Sequence, residues 1–242
     1  MTDLKFAPIA CAFLMVCCAP VSPSGGSGKL DYWGNRPGPQ GFGTVIIDAG
    51  HGGHDSGAVS RHTGQREKDL TLDLAKRLQS ELGSSFRTVM VRTDDRFVDL
   101  DDRVTFANRY PDAILVSLHF NSGAPGTRGP ETYYWRVDSH GLAVRCHSAM
   151  KSLASDSSSR KMVRRRLRLT RNPEIPCLLL EGGYLSNSAE SRTISSSEYR
   201  QKLARNIASA IRAQAASGDN GTGPKPPFIK SPPSRPTDAA DS

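Results

Sequence analysis

Val45-Ile46-Ile47-Asp48-Ala49-Gly50-His51-Gly52-Gly53-His54 is an apolar, β-branched run that breaks into a glycine-rich loop carrying two histidines. Such a run reads as a buried strand, and the loop at its carboxyl end is where open α/β sheets place ligands and catalysts. The glycines allow a sharp turn and leave room beside the imidazoles. No Gly-Lys-Ser/Thr follows, so the loop is not a Walker-type phosphate cradle.

Outward from this strand, apolar runs and amphipathic segments alternate. Leu70, Leu74, Leu78 and Leu82 recur every four residues and predict a helix over 67–82, stopped by Gly83. Strands are expected over 88–92, 113–118, 131–136 and 177–180, the second of them central because it is apolar without interruption. Leu100, Val104 and Ala107 mark a short helix, and Leu142, Cys146, Ala149 and Leu153 mark another. Ser195 and Glu198 suggest a capping box before a helix bearing Tyr199, Leu203, Ile207 and Ile211. The expected fold is α/β, a single-domain sandwich with a mostly parallel central sheet flanked by helices.

The chain has 242 residues and 37% hydrophobic content, with the deficit concentrated at its ends. Phe6 to Val16 follows Lys5 as an apolar run too short for the roughly 20 residues a membrane span needs, so residues 1–18 read as an export signal. Cys17 and Cys18 close it where a lipoprotein carries its acylated cysteine, although Leu14-Met15-Val16 lacks the small residue expected before that position. The alternative is a plain cleaved signal. Residues 19–41 are a Ser/Gly/Pro-rich linker, 42–216 the catalytic domain, and 217–242 a Pro-rich disordered tail. The net charge of +8 suits an anionic partner. No recognition-helix or RNP-type signature supports nucleic acid. Cys146 and Cys177 fit either a disulfide or buried thiols.

Polar residues collect where the strands end. His51 follows the first strand, His119 follows the central one, and Glu181 follows Cys177-Leu178-Leu179-Leu180, while Glu67 starts the first helix near the same edge. His51, Glu67 and His119 make a His₂Glu set, a catalytic zinc shell with one position left for water, whose pKa such a site moves from about 15.7 to about 7. Glu181, reached through an apolar strand, suits proton transfer with a raised pKa. Each residue alone also has a structural reading: a strand-end histidine is commonly a packed one, and a glutamate at a helix start serves the macrodipole.

Taken together, the segments resemble the zinc-dependent N-acetylmuramoyl-L-alanine amidases of bacterial cell walls, from about Thr44 to Ala213. Residues 45–58 resemble the opening motif. Arg66-Glu67-Lys68 falls on the glutamate-ligand segment, Ser117-Leu118-His119-Phe120-Asn121 on the third, and Leu180-Glu181-Gly182-Gly183-Tyr184-Leu185-Ser186-Asn187 on the last. Arg92-Thr93-Asp94-Asp95, with Leu100-Asp101-Asp102-Arg103, resembles the middle signature. The resemblance implies one zinc ion on His51, Glu67 and His119, with Glu181 catalytic. It further implies hydrolysis of the amide between N-acetylmuramic acid and L-alanine of the peptidoglycan stem peptide, in wall remodelling or daughter-cell separation. The partner is then peptidoglycan and the location the periplasm or cell envelope, with a membrane anchor through Cys17 or Cys18 where one is attached. A protein activator is allowed for, but the sequence does not identify one. Phe120 and Gly182-Gly183-Tyr184 depart from the family's commoner residues. Ser155 to Ile175 is too short for the folded plug some relatives carry, though long enough for a short lid.

His54 reads as a loop residue, and His62, His140 and His147 as surface or helix residues. Arg160, Lys161, Arg164, Arg165, Arg166 and Arg168 read as a solvated face, or as a contact for stem-peptide carboxylates or anionic lipid heads. Two competing functions stand beside the amidase: a zinc peptidase cutting within the stem peptide, and a non-catalytic peptidoglycan-binding lipoprotein.

Overall fold

The computed structural model describes residues 36–154 and 161–229. The expected signal, Cys17, Cys18 and the distal tail lie outside these residues. Strands β1 (Thr44–Ala49), β2 (Arg87–Met90), β3 (Ala113–Asn121), β4 (Glu131–Tyr134), β5 (Met162–Arg164) and β6 (Cys177–Tyr184) form one sheet in the order β2-β1-β3-β6-β4-β5. β1, β2, β3 and β6 run parallel, while β4 is antiparallel to β6 and carries β5 parallel to itself. The sheet is thus mostly parallel, as the alternation of elements implies.

Helices α1 (Glu67–Leu82), α3 (His140–Lys151) and α6 (Ser197–Ser217) cover one face. α1 folds there because Leu70, Leu74, Ala75, Leu78 and Leu82 form one buried stripe, each leucine stabilising by about 1.5–3 kcal/mol on burial. It ends at Gly83, whose positive φ of 52° suits glycine and whose N–H reaches back to the Gln79 carbonyl. The main core sits beneath these helices, built from Val45, Ile47, Ile114, Val116, Leu118, Leu178 and Leu180 of the sheet. A smaller cluster around Ile46, Leu115 and Cys177 lies on the other face, where α2 (Leu100–Ala107) and α4 (Arg168–Arg171) pack.

Several boundaries differ from expectation. β2 ends at Met90, so Arg92 stands in coil with its guanidinium turned inward. β4 ends at Tyr134, before Trp135. β5, α4 and α5 (Ser188–Ser195) carry little periodicity and are not evident from the sequence. The cap of α6 is Ser196, whose hydroxyl accepts from the Tyr199 N–H. Ser195 ends α5, and Glu198 instead pairs with Lys202 at 2.7 Å. Residues near both expected domain limits also meet: Gly38 N–H donates to Asp219 at 2.9 Å, Gly41 N–H to the Ala215 carbonyl at 2.9 Å, and Gln214 to the Pro39 carbonyl at 3.1 Å. Packing therefore extends past 42–216 on both sides. Cys146 and Cys177 are separate buried thiols, and burial pushes each up to about 12.

Candidate active site

β1 delivers His51 into the loop with φ 61°, a left-handed conformation uncommon outside glycine and typical of functional turns. Two buried guanidinium groups hold the loop there. Arg92 donates to the carbonyls of Ala49, Gly50, Lys68 and Asp94, and Arg103 to those of Ala49 and His51. Arg103 also pairs with fully buried Asp48, which accepts from the Ser117 hydroxyl at 2.6 Å. Burial alone would raise the Asp48 carboxyl, but Arg103 and Ser117 overcome it and hold the group below its ordinary range.

β3 and β6 do not stop before the site. They run through it, with His119 directly opposite Glu181 and a register shift between His119 and Asn121. His119 and Glu181 are therefore strand residues, not residues of loops after strands. Glu131 lies opposite Glu181 on β4. Glu67, in the first turn of α1, turns one oxygen toward both imidazoles: its Oε1 is 3.1 Å from His51 Nε2 and 3.0 Å from His119 Nδ1. That oxygen also accepts from the Phe120 N–H, and the other accepts from the Ala58 N–H. Desolvation opposes ionisation of Glu67, yet the two histidines hold its carboxyl far below the usual range. His51 Nδ1 contacts Asp55 Oδ2 at 2.8 Å, which fixes the ring with Nε2 toward Glu67. Burial pulls the His51 pKa down, but Glu67 and Asp55 outweigh it and raise it.

The three donor groups of His51, Glu67 and His119 lie within 4.8 Å of one another, the one set among the described residues that could hold a metal ion. Close approach is what the glycines permit. A Cβ at Gly50 would collide with the His119 ring, and one at Gly57 would sit 2.6 Å from both Glu67 Oε2 and His51 Cδ2. Glu181 borders the same cleft, along with Asn121, Tyr133, Arg165, Leu167 and Leu179. Its Oε2 is buried, and no donor among the described residues reaches it. Desolvation, reinforced by the charges of Glu67 and Glu131, pushes its carboxyl well above the ordinary range. Glu131 is held differently, accepting from Asn121 Nδ2 at 2.9 Å, Tyr133 OH at 2.8 Å and Tyr184 OH at 2.9 Å.

His54 stays outside the donor set and stacks on Phe97. His147 lies near Thr132, and His140 against Tyr134. Of the basic stretch, Arg164 and Arg166 pack on Trp135, Arg168 pairs with Asp101, and Arg165 lines the cleft; Arg160 lies outside the described residues. Sequence reasoning missed Asp55 as the residue orienting His51, and it missed the work of Arg92 and Arg103. The signal for the first is an acid four residues after a candidate ligand. For the others it is arginine at positions where the surrounding pattern demands burial.

A parallel-sheet edge with two imidazoles, an anionic carboxylate and a protonatable second carboxylate defines a hydrolase-type α/β domain with a metal-binding donor set. A family model described as N-acetylmuramoyl-L-alanine amidase matches residues 45–213. The chain belongs to that amidase family. It is 35% identical over 173 residues to YqiI of Bacillus subtilis, described as uncharacterized, covering 69% of this chain and 82% of that protein. It is 28% identical over 216 residues to a probable N-acetylmuramoyl-L-alanine amidase, AmiB of Haemophilus influenzae, covering 66% of this chain and 49% of that longer one. Among solved structures, an N-acetylmuramoyl-L-alanine amidase from Clostridium difficile 630 superposes with a TM-score of 0.67 at 32% identity, covering 72% of this chain and 97% of the other.

Proposed function

We propose that this chain is a zinc amidase of the cell envelope that hydrolyses the amide joining the lactyl group of N-acetylmuramic acid to L-alanine of the stem peptide. The observation carrying this reading is Glu181: a buried carboxyl with an unpartnered oxygen, set opposite His119 in register. A domain that only binds wall polymer has no use for so costly a group.

The donors fit zinc. Two imidazoles and one ionised carboxylate, with no thiolate, are the borderline and hard ligands of a catalytic site. Glu67 is already anionic, as a ligand must be. His51, Glu67 and His119 are the residues that would hold the ion. When bound, zinc makes water a competent nucleophile near neutral pH and polarises the scissile carbonyl. The chain's own residues do the rest. Asp55 keeps His51 in one orientation, and the Ala58 and Phe120 N–H groups fix the Glu67 carboxylate. Glu181, basic enough to accept a proton because its charged form is poorly solvated, takes one from the attacking water and passes it to the leaving L-alanine nitrogen. The location follows the wall substrate, and the export signal expected over residues 1–18 agrees with it. Among the described residues no helix is long and apolar enough to cross a membrane.

The test is product mass from defined muropeptides, with zinc quantified in the same preparation. Intact stem peptides with a free L-alanine amine are expected. Glu181→Gln should lower kcat by about 10²- to 10⁴-fold with zinc content unchanged. Truncated stems would point to a peptidase, and equal turnover by the variant would remove Glu181 from the reaction.

A further inference from the structure

The cleft has two unlike arms meeting at His51 and His119. One arm is lined by Phe97, Val98, Leu100 and Leu169 beside the charged Asp99, Arg103 and Arg168. The other is polar and holds Asn121, Ser122, Tyr133, Arg165 and Glu181. If Glu181 protonates the leaving nitrogen, the peptide must leave on the Glu181 side. The polar arm beside Glu181 then takes the stem peptide, and the arm beside Phe97 takes the muramoyl side.

That polar arm is a poor place for an anion. Glu67 and Glu181 line it, and Glu131 stands opposite Glu181 on β4, outside the lining. Arg165 is the cation on its rim. Its backbone N–H is fixed to the Tyr134 carbonyl at 2.9 Å, and its guanidinium stands 5.9 Å from the centre of the Tyr133 ring. Tyr133 is in turn tied to Glu131. Arg165 is exposed, and among the described residues no carboxylate pairs with it. A propped guanidinium facing an acid-lined cleft is suited to bidentate capture of a carboxylate from outside.

We propose that Arg165 is a specificity residue that binds a free carboxylate on the peptide side of the scissile amide, one residue beyond the L-alanine nitrogen. A γ-linked glutamate at the second stem position presents such a group; its amidated form does not. This proposal rests on the amidase reading and assigns a substrate preference to it.

The experiment compares two synthetic muropeptides that differ only in carboxylate or carboxamide at the second stem residue. Wild type should favour the carboxylate by about 10- to 100-fold in kcat/KM, chiefly through KM, as a charge-assisted hydrogen bond contributes. Arg165→Gln should remove that preference, with the loss of kcat/KM falling on the carboxylate substrate and not equally on the carboxamide, and Arg165→Lys should keep part of it. Wild type cleaving both equally, or Arg165→Gln retaining the preference, overturns the assignment and leaves the amidase reading standing. Equal loss on both substrates with a displaced pH profile also overturns it, because Arg165 would then act only on the charge of Glu181. Wild type cleaving neither overturns both readings together.

Discussion

The face of the sheet under α1, α3 and α6 and the face under α2 and α4 are built from alternate residues of the same strands. On the first, Val45, Ile47, Val116, Leu118 and Leu180 are sealed under helices with no polar atom to satisfy. On the second, Asp48, Ser117, His119, Glu181 and Glu131 follow one another across β1, β3, β6 and β4. Since side chains alternate along a strand, one register sets both rows. The first face contributes burial, which is directionless and tolerant of exchange. The second holds ionisable groups, and apart from the unpartnered Glu181 oxygen their partners are specific: Arg103 for Asp48, and three hydroxyl or amide donors for Glu131. The geometry of the candidate site is thus carried by strands whose other side supplies the stability.

Ile47 and Asp48 are consecutive on β1 and test this directly. Asp48→Asn leaves the Arg103 guanidinium buried without its counter-charge, and a loss of about 3–5 kcal/mol is expected from denaturant unfolding at neutral pH. The loss should depend on pH. The folded-state pKa of Asp48 lies below its unfolded value of about 3.9, so its contribution is complete above that value and fades as pH falls through the folded pKa. The gap between wild type and variant should therefore narrow below about pH 4. Ile47→Val, by contrast, removes one methylene from the dry core and should cost about 1 kcal/mol with no pH dependence and no change in kcat. A pH-independent loss for Asp48→Asn would mean that this face, too, is held by packing alone.

The same division explains what could be read from the sequence. Apolar periodicity exposed β1, α1, β3, α3 and α6, because burial on the first face imposes a pattern on every second or fourth residue. Motifs at strand ends singled out His51, Glu67, His119 and Glu181. What escaped was set by tertiary partners with no local period. Arg92 and Arg103 appear as exposed-type residues but serve as anchors for loop carbonyls. Asp55 is one acid among many until the turn at His51 brings it back to the ring. β5 is three residues long, too short for a pattern, and it exists because β4 offers it an edge. α5 owes its place to Asn187, which caps it, and to Glu190, which accepts from the N–H groups of Tyr184 and Gly129.

The smallest effect expected is a gain, and it separates the two faces most sharply. Glu181 is an acid whose folded-state pKa is raised, so it destabilises the fold at every pH above its unfolded value of about 4.3, increasingly until the folded pKa is reached. Glu181→Gln removes that charge while keeping the volume. In chelator-treated protein the variant should be more stable at neutral pH by about 0.5–1 kcal/mol, seen as a rise in Tm of roughly 2 °C. Below about pH 4 both proteins carry an uncharged group at 181, and the two melting curves should coincide. That outcome is expected of a carboxyl kept at a cost to folding for the proton transfer proposed for it. A fall in Tm at neutral pH would instead make Glu181 a structural acid with a satisfying partner, and would place it with Glu131 and Asp48 among the residues that hold the second face together.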